Sequence, residues 1–378
     1  MIKLCKAAEC RILRSMLIVA ILISSLPAEI LAQDPGKPQT PPVDPDGTIR
    51  VPSFTVPVSP LASAKADRNF LDFIHGFQAL ANGPPSGNIQ EARRRLDDLL
   101  MRPGVEQLRR VFPVKITPEK IGGVQTDVIE PLVGISPGNA NRVLINLHGG
   151  GFQVGAGLGG QMESIPIASL GSIKVISVNY REGPENRFPA ASEDVAAVYR
   201  SLLRNYPSQN IGIYGCSAGG MLTAESVAWF QANGLPRPGA IGIFGAGALI
   251  PIMGDSNYIG SVLTGAASPT PTDAKTLMPY FDVADLNIRD ALVSPAYHAS
   301  VLAQFPPTLL LSGTRDAALS PAVYTQAQLV RAGVEADLHV WEGAPHCIFA
   351  QPIVDPSVPE TREAWDVIVK FFDKQLGR

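Results

Sequence analysis

Residues 211–220 read Ile-Gly-Ile-Tyr-Gly-Cys-Ser-Ala-Gly-Gly, and residues 221–230 continue Met-Leu-Thr-Ala-Glu-Ser-Val-Ala-Trp-Phe. The first part is a short apolar run closed by Gly-x-Ser-x-Gly; the second has the composition of a helix. A strand that turns sharply into a helix around a serine presents the hydroxyl above a sheet and aims a helix N-terminus at it. Gly215 and Gly219 fit that geometry, because the turn leaves no room for a Cβ on either side of a strained serine. Taken alone the pattern says little, since turns rich in glycine and serine are common. Its meaning depends on the partners of Ser217.

Strands and helices alternate on both sides of this turn. Apolar runs at Arg142–Leu147, Ile173–Val178, Ala240–Phe244, Thr308–Leu311 and Leu338–Trp341 read as buried strands, and Pro189–Tyr206 and Glu360–Leu376 as helices. Phe112–Thr117 and Val124–Ile129 read as antiparallel edge strands. The alternation predicts an α/β fold with a mostly parallel sheet covered on both faces. Upstream, Leu61–Ala81 places Phe70, Phe73, Ile74 and Phe77 on one helical face, and Ile89–Met101 reads as a second helix. Residues 251–292 have mixed polarity and helix-like pieces, as expected of an inserted lid. No internal repeat is evident.

The chain has 378 residues and a formal net charge of -3. That balance does not suggest a nucleic-acid partner. The N-terminus is built differently. Lys3, Lys6, Arg11 and Arg14 precede the apolar run that starts at Met16, and Ser24, Ser25 and Pro27 follow it. This is the layout of a secretory signal over residues 1–32, with cleavage expected after Ala32. The alternative is an uncleaved anchor through residues 16–26, although the run is short for a membrane span. Residues 33–60, with Pro35, Pro38, Pro41, Pro42 and Pro45, form a tether. Residues 61–110 would be N-terminal helices contributing to a cap, and residues 111–378 the main domain. Export would leave Cys216 and Cys347 in an oxidising compartment, since Cys5 and Cys10 belong to the segment removed. There is no Asn-x-Ser/Thr site.

Acyl transfer by serine needs a base, an acid to orient it, and donors for the oxyanion. Of the five histidines, His346 lies in a loop just past the last strand, in the chain order Ser…Asp…His. His339 falls inside that strand and is expected to pack there. His75 sits on a helix as a structural residue, and nothing ties His298 to chemistry. Asp316 ends the run Thr308-Leu-Leu-Leu-Ser-Gly-Thr-Arg-Asp and is the candidate acid; its competing role is a helix N-cap. His148-Gly149-Gly150-Gly151 follows a strand, and the backbone N–H groups of Gly150 and Gly151, with Gly149 behind them, and of Ala218 are the candidate oxyanion hole. The rival reading, a phosphate-binding loop, lacks the Gly-Lys-Ser/Thr ending.

Together these motifs resemble the α/β-hydrolase fold in its hormone-sensitive-lipase-like, bacterial family IV form. The resemblance rests on His-Gly-Gly-Gly-Phe at His148, Ser-Val-Asn-Tyr-Arg-Glu-Gly-Pro-Glu at Ser177 and Phe-Pro-Ala-Ala-Ser-Glu-Asp at Phe188. It continues through Gly-Cys-Ser-Ala-Gly-Gly at Gly215, Val-Ser-Pro at Val293, Ser-Gly-Thr-Arg-Asp at Ser312 and Pro-His at Pro345. It implies a two-part cap from the N-terminal helices and the later insertion, and hydrolysis of short- to medium-acyl esters with no metal or other cofactor. The implied partner is a small-molecule ester. A lactonase or amidase would use the same residues; a non-catalytic ligand-binding relative would be expected to lack one of them. The chain departs from the family at Cys216, where Asp or Thr is usual, at Cys347, and at Asn179, Glu182, Gly183 and Asn186. If Ser217 and His346 approach to hydrogen-bond reach, their neighbours Cys216 and Cys347 come close enough for a disulfide. The alternative is two buried thiols packed as small apolar groups.

Overall fold

The computed structural model describes residues 40–51, 55–81, 88–265, 278–284, 286–347, 349–350 and 355–377. The expected signal segment lies outside them, as do the first residues of the tether and parts of the insertion. The chain divides into residues 1–57 and 58–378. In the first unit Val43 and Ile49 form an isolated antiparallel bridge, and Arg50 pairs with Asp44 at 2.7 Å.

The second unit is built on an eight-stranded sheet. Its strands are β1 Val114–Ile121, β2 Val124–Pro131, β3 Val143–Leu147, β4 Lys174–Val178, β5 Ile211–Cys216, β6 Ala240–Phe244, β7 Thr308–Gly313 and β8 Ala336–Trp341. Their order is β1-β2-β4-β3-β5-β6-β7-β8. β1 and β2 pair antiparallel and β2 pairs antiparallel with β4; every later pairing is parallel. β2 is therefore interior, and only β1 of the expected edge pair lies at an edge. β3, β5, β6 and β7 are buried at every position, the signature of parallel strands covered on both faces.

The helices are α1 Ala64–Ala81, α2 Ile89–Leu96, α3 Arg102–Val111, α4 Leu158–Gly171, α5 Ala190–Leu202, α6 Ala218–Ala232, α7 Asp255–Leu263, α8 Ala299–Leu302, α9 Leu319–Arg331 and α10 Pro359–Gln375. One apolar cluster, with Phe152, Tyr199, Leu222 and Phe230, and another, with Phe244, Trp365 and Phe372, form the core. The helix expected over 61–81 begins three residues later, because the chain turns at Pro60–Ala62. The helix expected over 89–101 is α2 followed by a wider π turn at Asp97–Met101 that leads straight into α3.

Polar contacts at Ser63 and Arg93 are among those that join the N-terminal helices to the rest of this unit. Ser63 Oγ and N–H both donate to the Glu360 carboxylate, at 2.8 and 2.7 Å, and fix the start of α1 against α10. On α2, Arg93 donates to Gln153 O at 2.7 Å and Gly183 O at 2.9 Å, and pairs with Glu185 at 2.7 Å and Glu182 at 3.3 Å. Arg93 thereby holds α2 on the loop that follows the glycine run. Between the start of the insertion and α9, an open groove of about 1050 Å³ has Met253, Ile259, Tyr297 and Tyr324 among its lining; Ser217 and His346 are not part of it.

Candidate active site

β5 ends at Cys216 and α6 starts at Ala218, leaving Ser217 alone in the turn with φ 57 and ψ -121. A left-handed φ is strained for serine. The strain is maintained by packing on both sides: a Cβ on Gly215 or Gly219 would run into the Leu147 carbonyl of neighbouring β3. Ser217 N–H donates to Phe244 O at 2.8 Å, which anchors the turn to β6. The serine is half-buried, whereas its neighbours Cys216 and Ala218 are buried.

Asp316 follows β7 and is fully buried. Its Oδ1 accepts from His346 Nδ1 at 2.8 Å and from Ala318 N–H at 2.8 Å, and its Oδ2 accepts from Ser312 Oγ at 3.0 Å. The residue therefore serves both as the histidine's partner and as the local backbone acceptor. Burial by itself would raise the Asp316 carboxyl; the adjacent His346 charge and these hydrogen bonds outweigh it and hold the carboxyl below its ordinary value. For His346 burial acts downward, and the Asp316 carboxylate overcomes it and raises the imidazole above its ordinary value.

The sulfurs of Cys216 and Cys347 are bonded, with Cα atoms 6.3 Å apart. A ring nitrogen of His346 and the two sulfurs lie within 4.8 Å of one another. Bonded to each other, neither sulfur offers a thiolate to a metal. The histidine loop is thus fastened against the elbow. No hydrogen bond joins Ser217 Oγ to His346 in this structure; such contacts commonly tighten only around substrate.

The glycine run leaves β3 beside the elbow. A Cβ on Gly149 would stand 3.5 Å from the Ser217 Cβ. Gly150 and Gly151 have φ of 112 and 63, conformations natural to glycine. Among the described residues, the N–H groups of Gly150, Gly151 and Ala218 have no hydrogen-bond partner within the chain. Gly149 differs from the expectation: its N–H donates to Glu163 Oε1 at 2.8 Å and is not free for an oxyanion. His148 packs below the run, stacked on Tyr180 at 4.1 Å, with Nδ1 facing Gly149 O at 2.8 Å. Burial pushes its pKa down to about 4, so it is neutral and structural.

The other histidines stay outside the site. His75 is exposed on α1. His298 Nε2 faces Arg289 O at 2.7 Å. His339 is exposed on β8 and stacks on Trp341 at 6.0 Å, rather than packing inward, because β8 is an edge strand. The sequence reading missed Glu163. Its signal was the only charged side chain in Leu-Gly-Gly-Gln-Met-Glu-Ser-Ile-Pro-Ile-Ala-Ser-Leu-Gly, which is α4.

Residues 144–350, over half of the chain, match the family described as the alpha/beta hydrolase fold. The chain is 27% identical over 248 residues to an acetyl-hydrolase of Streptomyces hygroscopicus, covering 62% of this chain and 77% of that protein. Its structure resembles the crystal structure of esterase E25 with a TM-score of 0.72 at 30% identity, covering 87% of this chain and 99% of that one. It also resembles an esterase from the bacterial hormone-sensitive lipase family, with a TM-score of 0.69 at 26% identity over 82% of this chain and 99% of that one. The chain therefore belongs to the α/β-hydrolase family. Within that family it is a hormone-sensitive-lipase-like carboxylesterase, a serine hydrolase of carboxylic esters.

Proposed function

We propose that the protein cleaves esters of short to medium acyl chains through a Ser217–His346–Asp316 triad and an acyl-enzyme. Ser217 Oγ attacks the ester carbonyl carbon as His346 takes the hydroxyl proton, and the carbonyl electron pair moves to oxygen. The N–H groups of Gly150, Gly151 and Ala218 receive that oxyanion. Collapse expels the alkoxide, which takes the proton from His346 and leaves as the alcohol. Water then attacks the acyl carbon, gives a proton to His346, and releases the acid as Ser217 recovers its hydrogen. Asp316 stabilises the imidazolium without itself taking the proton.

The observation that carries this reading is the Asp316–His346 hydrogen bond of 2.8 Å, in a loop tied by Cys347 to the residue before Ser217. Support for the cap comes from α1. Ile74 and Gln78 lie 3.5 Å from the Cβ position of Gly265, which follows α7, so the N-terminal helices and the insertion meet. Among the described residues no helix is long and apolar enough to cross a membrane. Export rests on the sequence of residues 1–32, and an oxidising destination agrees with the Cys216–Cys347 bond. The expected partner is a small-molecule ester.

Turnover of p-nitrophenyl esters by Ser217→Ala tests the mechanism. Loss of about 10⁶-fold in kcat, together with loss of fluorophosphonate labelling, is expected; near-parental turnover sinks it. A graded series of acyl esters, run beside lactones and anilides, fixes the substrate class.

A further inference from the structure

The Glu163 carboxyl takes no part in the steps above, yet it reaches both halves of the site. It stands on α4 and is 5% exposed. Its Oε1 accepts Gly149 N–H at 2.8 Å, and its Oε2 accepts Asn146 Nδ2 at 2.9 Å. The N–H of Cys216 faces the same carboxyl. Gly149 opens the glycine run, and Cys216 directly precedes Ser217. Asn146 Oδ1 in turn accepts from Ser177 Oγ at 3.1 Å, so the carboxyl ends a buried chain that crosses β4 and β3. No cation is paired with it among the described residues.

We propose that Glu163 is a positioning residue for oxyanion stabilisation: it ties the glycine run to the elbow and so sets where the N–H groups of Gly150, Gly151 and Ala218 point. The proposal rests on the Ser217 reading above. Donors for an oxyanion work because they are fixed before the charge develops. A run of three glycines is the least fixed backbone the chain can offer, and both Gly150 and Gly151 have left-handed φ. The Gly149 N–H belongs to the first peptide of that run, and Glu163 holds it. Burial raises the Glu163 pKa to about 7 against the pull of Gly149, Asn146 and Cys216. Burial therefore weakens the negative charge behind the developing oxyanion relative to an ordinary carboxylate, while the hydrogen bonds fix the loop.

Hydrogen-bond geometry, not charge, is thus the function, and two substitutions separate the two. Glutamine presents an oxygen to Gly149 and an NH₂ to Asn146, once the asparagine amide turns over and Ser177 becomes the acceptor. Leucine keeps the bulk and accepts nothing. With p-nitrophenyl butyrate, Glu163→Leu should lower kcat about 30- to 100-fold, the scale of a 1 Å misplacement. KM should stay within about threefold, and phosphonylation of Ser217 should slow in parallel. Glu163→Gln should recover most of kcat. A leucine variant with parental kcat overturns the proposal, as does a folded glutamine variant as impaired as the leucine one. Should Glu163→Leu fail to fold, Asn146→Ala, which frees the Oε2 arm, decides: a kcat loss of about fivefold at unchanged KM supports the tether, and no loss overturns it. Ser217→Ala is run alongside. If that variant still turns over, the underlying mechanism falls; if it is dead while Glu163→Leu is unimpaired, only the positioning role falls.

Discussion

His346 Nδ1 donates to Asp316 Oδ1 across 2.8 Å, and the two residues differ sharply in exposure: the histidine side chain is 32% accessible, the aspartate 0%. One end of the pair is open to solvent and the other is sealed in the protein. The imidazole is raised above 6.5 and the carboxyl lowered below 3.8. A general base must be neutral, so kcat/KM should climb with pH and reach half its plateau above 6.5. Asp316→Asn removes the charge that raises the imidazole. It should move the acid limb to lower pH and cut kcat about 10⁴-fold. A pH–rate profile of both proteins checks this.

The same pair contributes stability with a defined window. The lowered carboxyl stabilises the fold above 3.8 and loses that contribution as pH falls through its folded value. The raised imidazole stabilises it below 6.5 and loses that contribution as pH rises through its folded value. The contribution is therefore fullest between those limits. Urea denaturation against pH should show a broad maximum there that flattens in Asp316→Asn.

The Cys216–Cys347 bond closes a loop with a sequence separation of 131. A crosslink of that span is worth about 2–5 kcal/mol by restricting the unfolded chain. Cys347→Ser should lower the free energy of unfolding by that amount. It should also lower kcat, because the loop bearing His346 is no longer fastened to the elbow. Chemical denaturation and steady-state kinetics, each with and without reductant on the parent protein, measure the two effects.

Arg93 joins α2 to the loops at Gln153 and Gly183–Glu185. Its guanidinium is 24% exposed, so solvent weakens the ion pairs, and the bonds to the two carbonyls count most. Arg93→Ala should cost about 1–2 kcal/mol. It should raise KM more than it lowers kcat if the N-terminal helices close over substrate. Denaturation curves and KM for esters of increasing chain length check this.

Gly219 has no space for a side chain against Leu147 O. Gly219→Ala should destabilise by about 1–3 kcal/mol through overpacking and shift the nucleophile off its position. Thermal unfolding and labelling by a fluorophosphonate would reveal both losses.

What could be read in advance followed local physics. Ala240–Phe244 is strand at both of its expected ends, because a central parallel strand is apolar at every position. Ser217 and Asp316 follow strands of this kind, β5 and β7, whereas His346 follows the edge strand β8, whose Asp337 and His339 interrupt the apolar run. α4 gave no such signal. Both of its sides are buried, it contains Pro166 and three glycines, and its apolar residues show no helical period. The role of Glu163 was illegible for a related reason. Its partners Gly149, Asn146 and Cys216 become neighbours only once β3 and β5 pair. The π turn at Asp97–Met101 was equally hidden, since it changes a hydrogen-bond register without altering composition.

The parallel strands β5, β7 and β8 all deliver their following residues to one rim of the sheet. Ser217, Asp316 and His346 follow those strands, while α1 and α2 precede the sheet in the chain and α7 lies in the segment between β6 and β7. On the proposed mechanism, reactivity and selectivity would then be written in separate stretches of sequence. On the proposed mechanism and cap, drift in residues 61–110 or 251–292 would redraw the range of accepted esters and leave the strand termini as they are.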